Sequence, residues 1–411
     1  MKKAFTNTLY TNDNLFILNG LNSNLVDLIY LDPPFNSKRM YSAPVGSKAA
    51  GTSFKDMWTW EDVNEAYLET LAGKCPALPI YIASIGVIHS EAMKAYLTYM
   101  AQRIIEMHRI LKDTGSLYLH CDPTASHYLK VVLDEIFGKN NFRNEIIWCY
   151  RGGGSPKNDF GRRHDVIFRY SKSNDYTFIS DSIRIPYQAE GLGRTDDAMW
   201  GKHKGTDKVY KPNPMGKIPE DWWLMNILNA NDPERTGYPT QKPLALLHRI
   251  IKSSSNEGDI VFDPFCGCAT TCVAAQQLGR KWIGIDIEKQ AVNILMERLS
   301  NDAGMFKDFT NTNIIPQRTD IQIVEPTKSV KERLYKEQNG LCNGCKTQFE
   351  IRNLEIDHII PKSKGGGSYY ENYQLLCSAC NRKKGDRPME YLRMISKNEE
   401  KLLKNKIIFG E

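Results

Sequence analysis

The sequence has no apolar run approaching the ~18–20 residues that a membrane-spanning helix needs. Its basic start, MKKAFTNTLY, is followed by no apolar segment, so it does not read as a secretory leader. Both absences lead to the expectation of a cytoplasmic protein with no membrane partner. There is no internal repeat and no low-complexity block, which leaves ordinary globular domains. Net charge is missing from most of the chain. Residues 326–411 hold 17 Lys and Arg against 11 Asp and Glu, and the remaining 37 of each sign cancel. The whole excess of +6 therefore sits in the last fifth, as expected of a part that approaches phosphate, although a solvated basic tail has the same composition. Ten cysteines in a chain without a leader suit metal ligation or core packing better than disulfides. The 411 residues suggest more than one domain, and 41% apolar against 25% charged residues allows a sizeable core.

Short apolar strands alternate with amphipathic helices. LVDLIYLD (25–32), GSLYLHCD (115–122), IIWCY (146–150), DIVFD (259–263) and WIGIDI (282–287) read as strands. Residues 90–112, 128–138, 269–279 and 288–299 read as helices, the second and third closing at Gly138 and Gly279. This alternation predicts an α/β unit with a mostly parallel sheet. Between its halves, residues 151–235 open with RGGGSPKNDFGRR and carry scattered Tyr and Trp. Such a stretch is either a binding insertion on a rigid scaffold or a plain surface insertion. Residues 303–330 lose the periodic pattern and contain Pro316 and Pro326, as a linker would.

Two strand ends carry acids. VDLIYLDPPF (26–35) runs from an apolar strand into Asp32, Pro33, Pro34 and Phe35, giving up two successive backbone donors. Alone, Asp-Pro and Pro-Pro also mark common strand-to-turn corners. VFDPFCGCATTCVAAQQLGRKWIGIDI (261–287) ends a strand at Asp263, passes a Gly-bearing loop into a helix, and ends the next strand at Asp286, 23 residues on. That is the layout of a nucleoside-cofactor site, where the glycine admits the ligand and the second acid accepts ribose hydroxyls. One firm glycine in FCGCA disfavours NAD.

Together these motifs resemble the amino-methyltransferases of DNA, which use S-adenosylmethionine. The family's [DNS]-PP-[FYW] catalytic tetrad is matched by Asp32, Pro33, Pro34 and Phe35. Its FxGxG cofactor loop is matched by Phe265, Cys266, Gly267 and Cys268, with Ala269 replacing the second glycine. That departure bears on one backbone contact. Tetrad first and cofactor loop last resembles the beta class, whose insertion is the target-recognition domain. SLYLHCDPTASHYLKVVLDEIFG, NEIIWCY, RRHDVIFRYSK and YPTQKPLALLHRII look like further segments of that class. The resemblance implies Asp263, Phe265, Gly267, Asp286, Thr240 and Lys242 at the cofactor, the last two beside its methionine end. It also implies duplex DNA as partner, a homodimer, and adenine N6 rather than cytosine N4 as target, because Asp fills the first tetrad position. The chemistry agrees. An exocyclic amine has its lone pair delocalised into the ring. A carboxylate and a carbonyl fixed by the prolines can accept its two N–H groups and localise that pair, with Phe35 stacking on an extruded base.

The C-terminal part reads CNGCKTQFEIRNLEIDHIIPKSKGGGSYYENYQLLCSACN (342–381), with 31 residues between the inner cysteines of its two CxxC knuckles. Cys342, Cys345, Cys377 and Cys380 suit a structural Zn²⁺, with redox use of one pair as the alternative. The segment resembles zinc-knuckle HNH endonucleases. That likeness implies Asp357 and Asn381 as ligands of a divalent metal such as Mg²⁺, His358 as general base and Asn372 as loop brace. NRKKGDR and PKSKGGG would supply phosphate contacts. The expected architecture is thus α/β: a Rossmann-like, mostly parallel methyltransferase sheet with a target-recognition insertion (about 151–235) over residues 1–308, a linker over 309–330, and a small zinc-stapled ββα HNH domain over 331–411. The function expected is DNA adenine-N6 methylation joined to metal-dependent cleavage in a restriction–modification setting. The alternatives are a cytosine-N4 enzyme whose zinc module only binds DNA, and methylation of RNA.

Overall fold

The computed structural model of the chain describes residues 7–35, 39–43, 47, 49, 53–56, 71, 73–152, 154, 156–187, 213–229, 231–288, 290–301, 309–387, 389 and 391–392. Strand β1 (Thr8–Thr11), helix α1 (Asn14–Gly20) and strand β2 (Val26–Leu31) open it. Leu28, Ile29, Tyr30 and Leu31 are all buried, as a parallel strand covered on both faces requires. A ribbon of β3 (Arg39–Ser42) and β4 (Ser53–Asp56) stands apart from the main sheet.

Helices α2 (Ala77–Ile88) and α3 (Glu91–Ile110) follow. The α3 face expected from sequence is buried through Met93, Leu97, Met100, Ile104 and Met107. Ser90 caps its start by accepting the Met93 amide, and His108 and Arg109 sit favourably in its last turn. Strand β5 (Leu111–Cys121) then pairs parallel with β2. Asp122 directly after it caps α4 (Pro123–Phe137), which stops at Gly138 with φ 84°.

Strands β6 (Phe142–Cys149), β7 (His164–Ser171) and β8 (Trp222–Leu224) form the other arm of the sheet. β7 lies antiparallel between β5 and β6. The first part of the 151–235 stretch, expected wholly as an insertion, therefore returns into the sheet. Its HDVIFRYS run is buried along most of its length, so no alternation marks it as a strand. Residues 188–212 of that stretch lie outside the described residues.

The second half supplies α5 (Leu244–Ser254), β9 (Ile260–Asp263), α6 (Thr270–Gln277), β10 (Lys281–Asp286) and α7 (Gln290–Asn301). With β11 (Thr310–Thr312) the nine-stranded order is β11-β1-β10-β9-β2-β5-β7-β6-β8, parallel from β11 to β5. Two apolar clusters cover the faces of this sheet. Because β2, β9 and β10 are parallel neighbours, Asp32, Asp263 and Asp286 emerge at one edge, where open α/β sheets bind ligands.

The connecting segment is held against the scaffold. β11 adds to β1, and the Ser23 amide donates to Asp320 Oδ2 at 2.9 Å. A Cβ on Gly20 would stand 2.0 Å from the Pro316 carbonyl oxygen, so only glycine allows that apposition. The C-terminal unit consists of α8 (Lys328–Glu337), the antiparallel pair β12 (Leu354–His358) and β13 (Tyr373–Cys377), and α9 (Ser378–Lys384). Its own core includes Leu334, Leu354, Leu375 and Leu376.

Candidate active site and metal centre

The carboxyl edge of the sheet opens into a cavity of about 450 Å³, within the usual range for small-molecule sites. Asp32, Pro33, Pro34, Phe35, Thr240, Lys242, Asp263, Phe265, Gly267 and Asp286, separated by up to 254 residues in sequence, all line it. The two halves of the sheet thus converge on one space.

On the β9–β10 side, Asp286 accepts the Gly267 amide on Oδ2 at 2.7 Å and the Glu288 amide on Oδ1 at 2.8 Å. Burial pushes its carboxyl up to about 6. Asp263 is pushed up to about 7, also chiefly by burial, against hydrogen bonds from Thr271 and the Phe265 amide. Gly267 has φ 49°, and a Cβ there would approach Tyr238 to 3.0 Å. Ala269 caps α6 at φ 58°, ψ 31°. The alanine thus takes a left-handed conformation that a glycine adopts freely, at a strain of ~1–2 kcal/mol. A backbone cradle, two acids and a cavity of this size fit an adenosine-bearing cofactor.

On the β2 side, Lys242 Nζ lies 2.5 Å from Asp32 Oδ2. Asp32 Oδ1 is buried without a hydrogen-bond partner among the described residues. The Phe35 ring stacks on His120 at 5.9 Å and 24°. His120 is fully buried, bonds Tyr30 Oη through Nδ1 (2.9 Å) and meets Asp165 Oδ2 through Nε2 (3.0 Å). Burial raises the Asp165 carboxyl, but His120, Lys242 and Tyr150 outweigh it and hold it below the ordinary range. His120 and Asp165 stand in the quoted LHCD and RRHD stretches, yet no spacing rule links them. Asn14 and Arg103 carry no sequence signal either. The Asn14 amide donates to the Pro264 carbonyl at 2.9 Å and its oxygen accepts Arg103 Nε at 2.6 Å, fixing the 263–269 loop from 250 residues away.

In the C-terminal unit the sulfurs of Cys342, Cys345, Cys377 and Cys380 lie within 4.8 Å of one another. The Cys377 amide donates to Cys342 Sγ at 3.2 Å and the Cys380 amide to Cys377 Sγ at 3.5 Å. Four convergent thiols with amide donors fit a tetrahedral Zn²⁺. Asn372 braces the 360–367 loop, accepting the Ile360 amide and donating to the Ile360 and Gly367 carbonyls. Burial, with help from Lys362 and Lys384, holds His358 below the usual imidazole range. The donors expected to hold a divalent ion are otherwise engaged. Asp357 Oδ2 lies 3.0 Å from Lys384 Nζ, a side chain only 1% exposed, and accepts Gln374 Nε2 at 2.8 Å. Asn381 donates to Glu355 at 2.5 Å. As arranged, this set does not fit a divalent ion, because an ammonium already balances the carboxylate.

A family profile described as DNA methylase matches residues 26–297, and one described as HNH endonuclease matches residues 342–387. Type II methyltransferase M.BglII of Bacillus subtilis is 26% identical over 334 residues, covering 79% of this chain and 78% of the relative. DNA adenine methyltransferase YhdJ of Escherichia coli strain K12 is 31% identical over 216 residues, covering 52% and 70%. Among solved structures, PvuII DNA methyltransferase (cytosine-N4-specific) aligns with a TM-score of 0.45 and 13% identity, covering 74% of this chain and 90% of the other.

Proposed function

Since the chain belongs to the DNA methylase family of N6 and N4 amino-methyltransferases and ends in an HNH endonuclease domain, we propose that it transfers a methyl group from S-adenosylmethionine to adenine N6 in a specific duplex site. One observation carries the reading: Asp32, whose Oδ1 is buried without a hydrogen-bond partner among the described residues, lines the same cavity as Asp263, Gly267 and Asp286. The cofactor, when bound, supplies an electrophilic methyl group. The protein's part is to bind, to orient and to present acceptors. Asp286 would accept the ribose hydroxyls. Asp32 would take one amine N–H, a Pro33–Pro34 carbonyl the other, and Phe35 would stack on the flipped base. Asp rather than Ser at the tetrad's start favours adenine, and YhdJ bears that activity in its name. Sequencing modified bases in DNA from cells expressing the chain tests this. N6-methyladenine within one motif is expected. N4-methylcytosine would overturn the base assignment, and unmodified DNA would overturn the whole reading.

Asp286 gives the site a pH dependence. With a carboxyl near 6 in the free protein, binding that needs the ionised form weakens as pH falls below that value, by up to about tenfold per unit. Calorimetric affinities between pH 5 and 8 check this, and Asp286→Asn should weaken binding and remove the step near 6, leaving only what Asp263 contributes near 7.

For the second domain we propose phosphodiester cleavage of the same DNA with His358 as base, in a restriction–modification pair. The domain division at 308 and 331 and a homodimer belong to the same proposal, and light scattering tests the latter. Lys384 bears on the metal. A divalent ion at Asp357 has to displace a buried ammonium, so Lys384→Met should tighten Mn²⁺ binding at least about tenfold. Spin resonance of free Mn²⁺ reads this directly. Unchanged affinity would mean that Lys384 does not hold the cation position.

A further inference from the structure

We propose that Lys242 is a positioning residue for methyl transfer: it grips one oxygen of Asp32 and leaves the other as the acceptor turned to the target amine. The proposal rests on the reading of Asp32 as the amine's acceptor.

Three observations carry it. The first is the division of labour on the carboxylate. Oδ2 receives the Lys242 ammonium at 2.5 Å, while Oδ1 is buried, unpartnered among the described residues, and belongs to a side chain that lines the cavity. A carboxylate free to rotate about its last torsion would present either oxygen. One held by a cation presents the same oxygen every time.

The second is how firmly the lysine is delivered. Lysine is a flexible side chain that normally keeps its head in water. This one is only 8% exposed. Its neighbours fix the backbone on either side. The Gln241 oxygen accepts both the Thr236 amide and hydroxyl at 2.8 Å, and its amide donates to the Glu234 carbonyl at 2.8 Å. Glu234 in turn accepts the Leu244 amide at 2.7 Å. Pro243 starts α5 at φ −65°. Thr240 adopts φ 64°, a strained conformation for a β-branched residue. Strain of this sort persists where the surroundings impose it, commonly at functional sites.

The third is where the ammonium does not go. Among the described residues its other close contacts are the Thr240 carbonyl at 3.4 Å and the Phe35 ring at 5.4 Å, and its charge also acts on Asp165. None of these belongs to the 263–269 loop or to Asp286. Lys242 thus touches two members of the tetrad, Asp32 and Phe35. The charge arithmetic agrees. The amine gains positive charge as it is methylated, and a free ammonium nearby would oppose this. Here the lysine's charge is countered by Asp32 Oδ2 and, at longer range, by Asp165.

The test compares Lys242→Met and Lys242→Arg in the full-length protein, reading cofactor affinity by calorimetry and methyl transfer by single-turnover labelling. Lys242→Met should lower the transfer rate about 10²-fold with cofactor Kd within about threefold. Lys242→Arg, which keeps the charge, should regain about tenfold. On an Asp32→Asn background, Lys242→Met should add less than about threefold, because the two act as one unit. The proposal is overturned if Lys242→Met raises cofactor Kd with the transfer rate intact, or if its full cost persists beside Asp32→Asn. Failure of the underlying reading looks different: Asp32→Asn alone would keep wild-type labelling. Circular dichroism melts of both lysine variants separate loss of fold from loss of rate, and the arginine variant keeps the question answerable if the methionine variant unfolds.

Discussion

Asp32→Asn is expected to lower methyl transfer by roughly 10³-fold while leaving cofactor affinity within about threefold. The size follows from geometry. Asparagine has the shape of aspartate but only one oxygen. Facing the Lys242 ammonium at 2.5 Å, the amide must turn that oxygen to the lysine. Its NH₂ then takes the place of Oδ1 and confronts the N–H of the target amine, donor against donor. Asp32→Ala should also lose activity, for a mixed reason. It strands a lysine that is only 8% exposed, and breaking a buried pair from one side costs ~3–5 kcal/mol. The asparagine variant should therefore keep its melting temperature better than the alanine variant, although both fail to label DNA. Single-turnover labelling with radioactive cofactor beside a thermal melt makes the distinction. Wild-type labelling by Asp32→Asn would remove Asp32 from the chemistry.

That the DPPF corner and the 263–269 loop lie at strand ends is legible in the sequence, because each sits in a few consecutive residues whose types are tied to one backbone task. Strand, Pro-Pro and Gly loop are local signals, and the sheet order then brings β2 and β9 side by side. The stretch 151–235 hides its sheet strands β7 and β8, the longer of them for the opposite reason. HDVIFRYS is nearly all buried, so its period-2 signal vanishes, and the Gly- and Arg-rich flank dominates the reading. The 309–330 span lacks periodicity because its order comes from outside it, through β1, Asn22 and Ser23. Pairings such as Lys242 with Asp32, or His120 with Asp165, are side-chain meetings across 210 and 45 residues. No spacing rule encodes them. Lys384 makes the same point at the second site. NRKKGDR reads as a basic phosphate contact, yet one of its lysines is 1% exposed and paired to Asp357.

Removing zinc should unfold the C-terminal unit and leave methyl transfer within about twofold of its starting value. The four cysteines are two knuckles at opposite ends of the unit. Cys342 and Cys345 precede β12, and Cys377 and Cys380 join β13 to α9. Cys377 is also the N-cap of α9, its sulfur accepting the Cys380 amide. A metal held by all four fixes the hairpin and the helix at once. The apolar core beneath is small, built around residues such as Leu334, Leu354, Leu375 and Leu376. A core of that size rarely supplies more than ~3–5 kcal/mol, whereas structural zinc contributes about 10–16 kcal/mol. The methyltransferase sheet has its own two clusters and shares no cysteine with this centre. Chelation should therefore open the chain to protease first between 321 and 341, where the strapped segment gives way to the zinc unit. Cys377→Ser should do the same without chelator, because it removes a ligand and a helix cap together. Elemental analysis should find one zinc per chain. A chain that loses its zinc yet keeps full protease protection would show that the core alone holds the unit, and a zinc-free chain with intact knuckles would turn the cysteines over to redox chemistry.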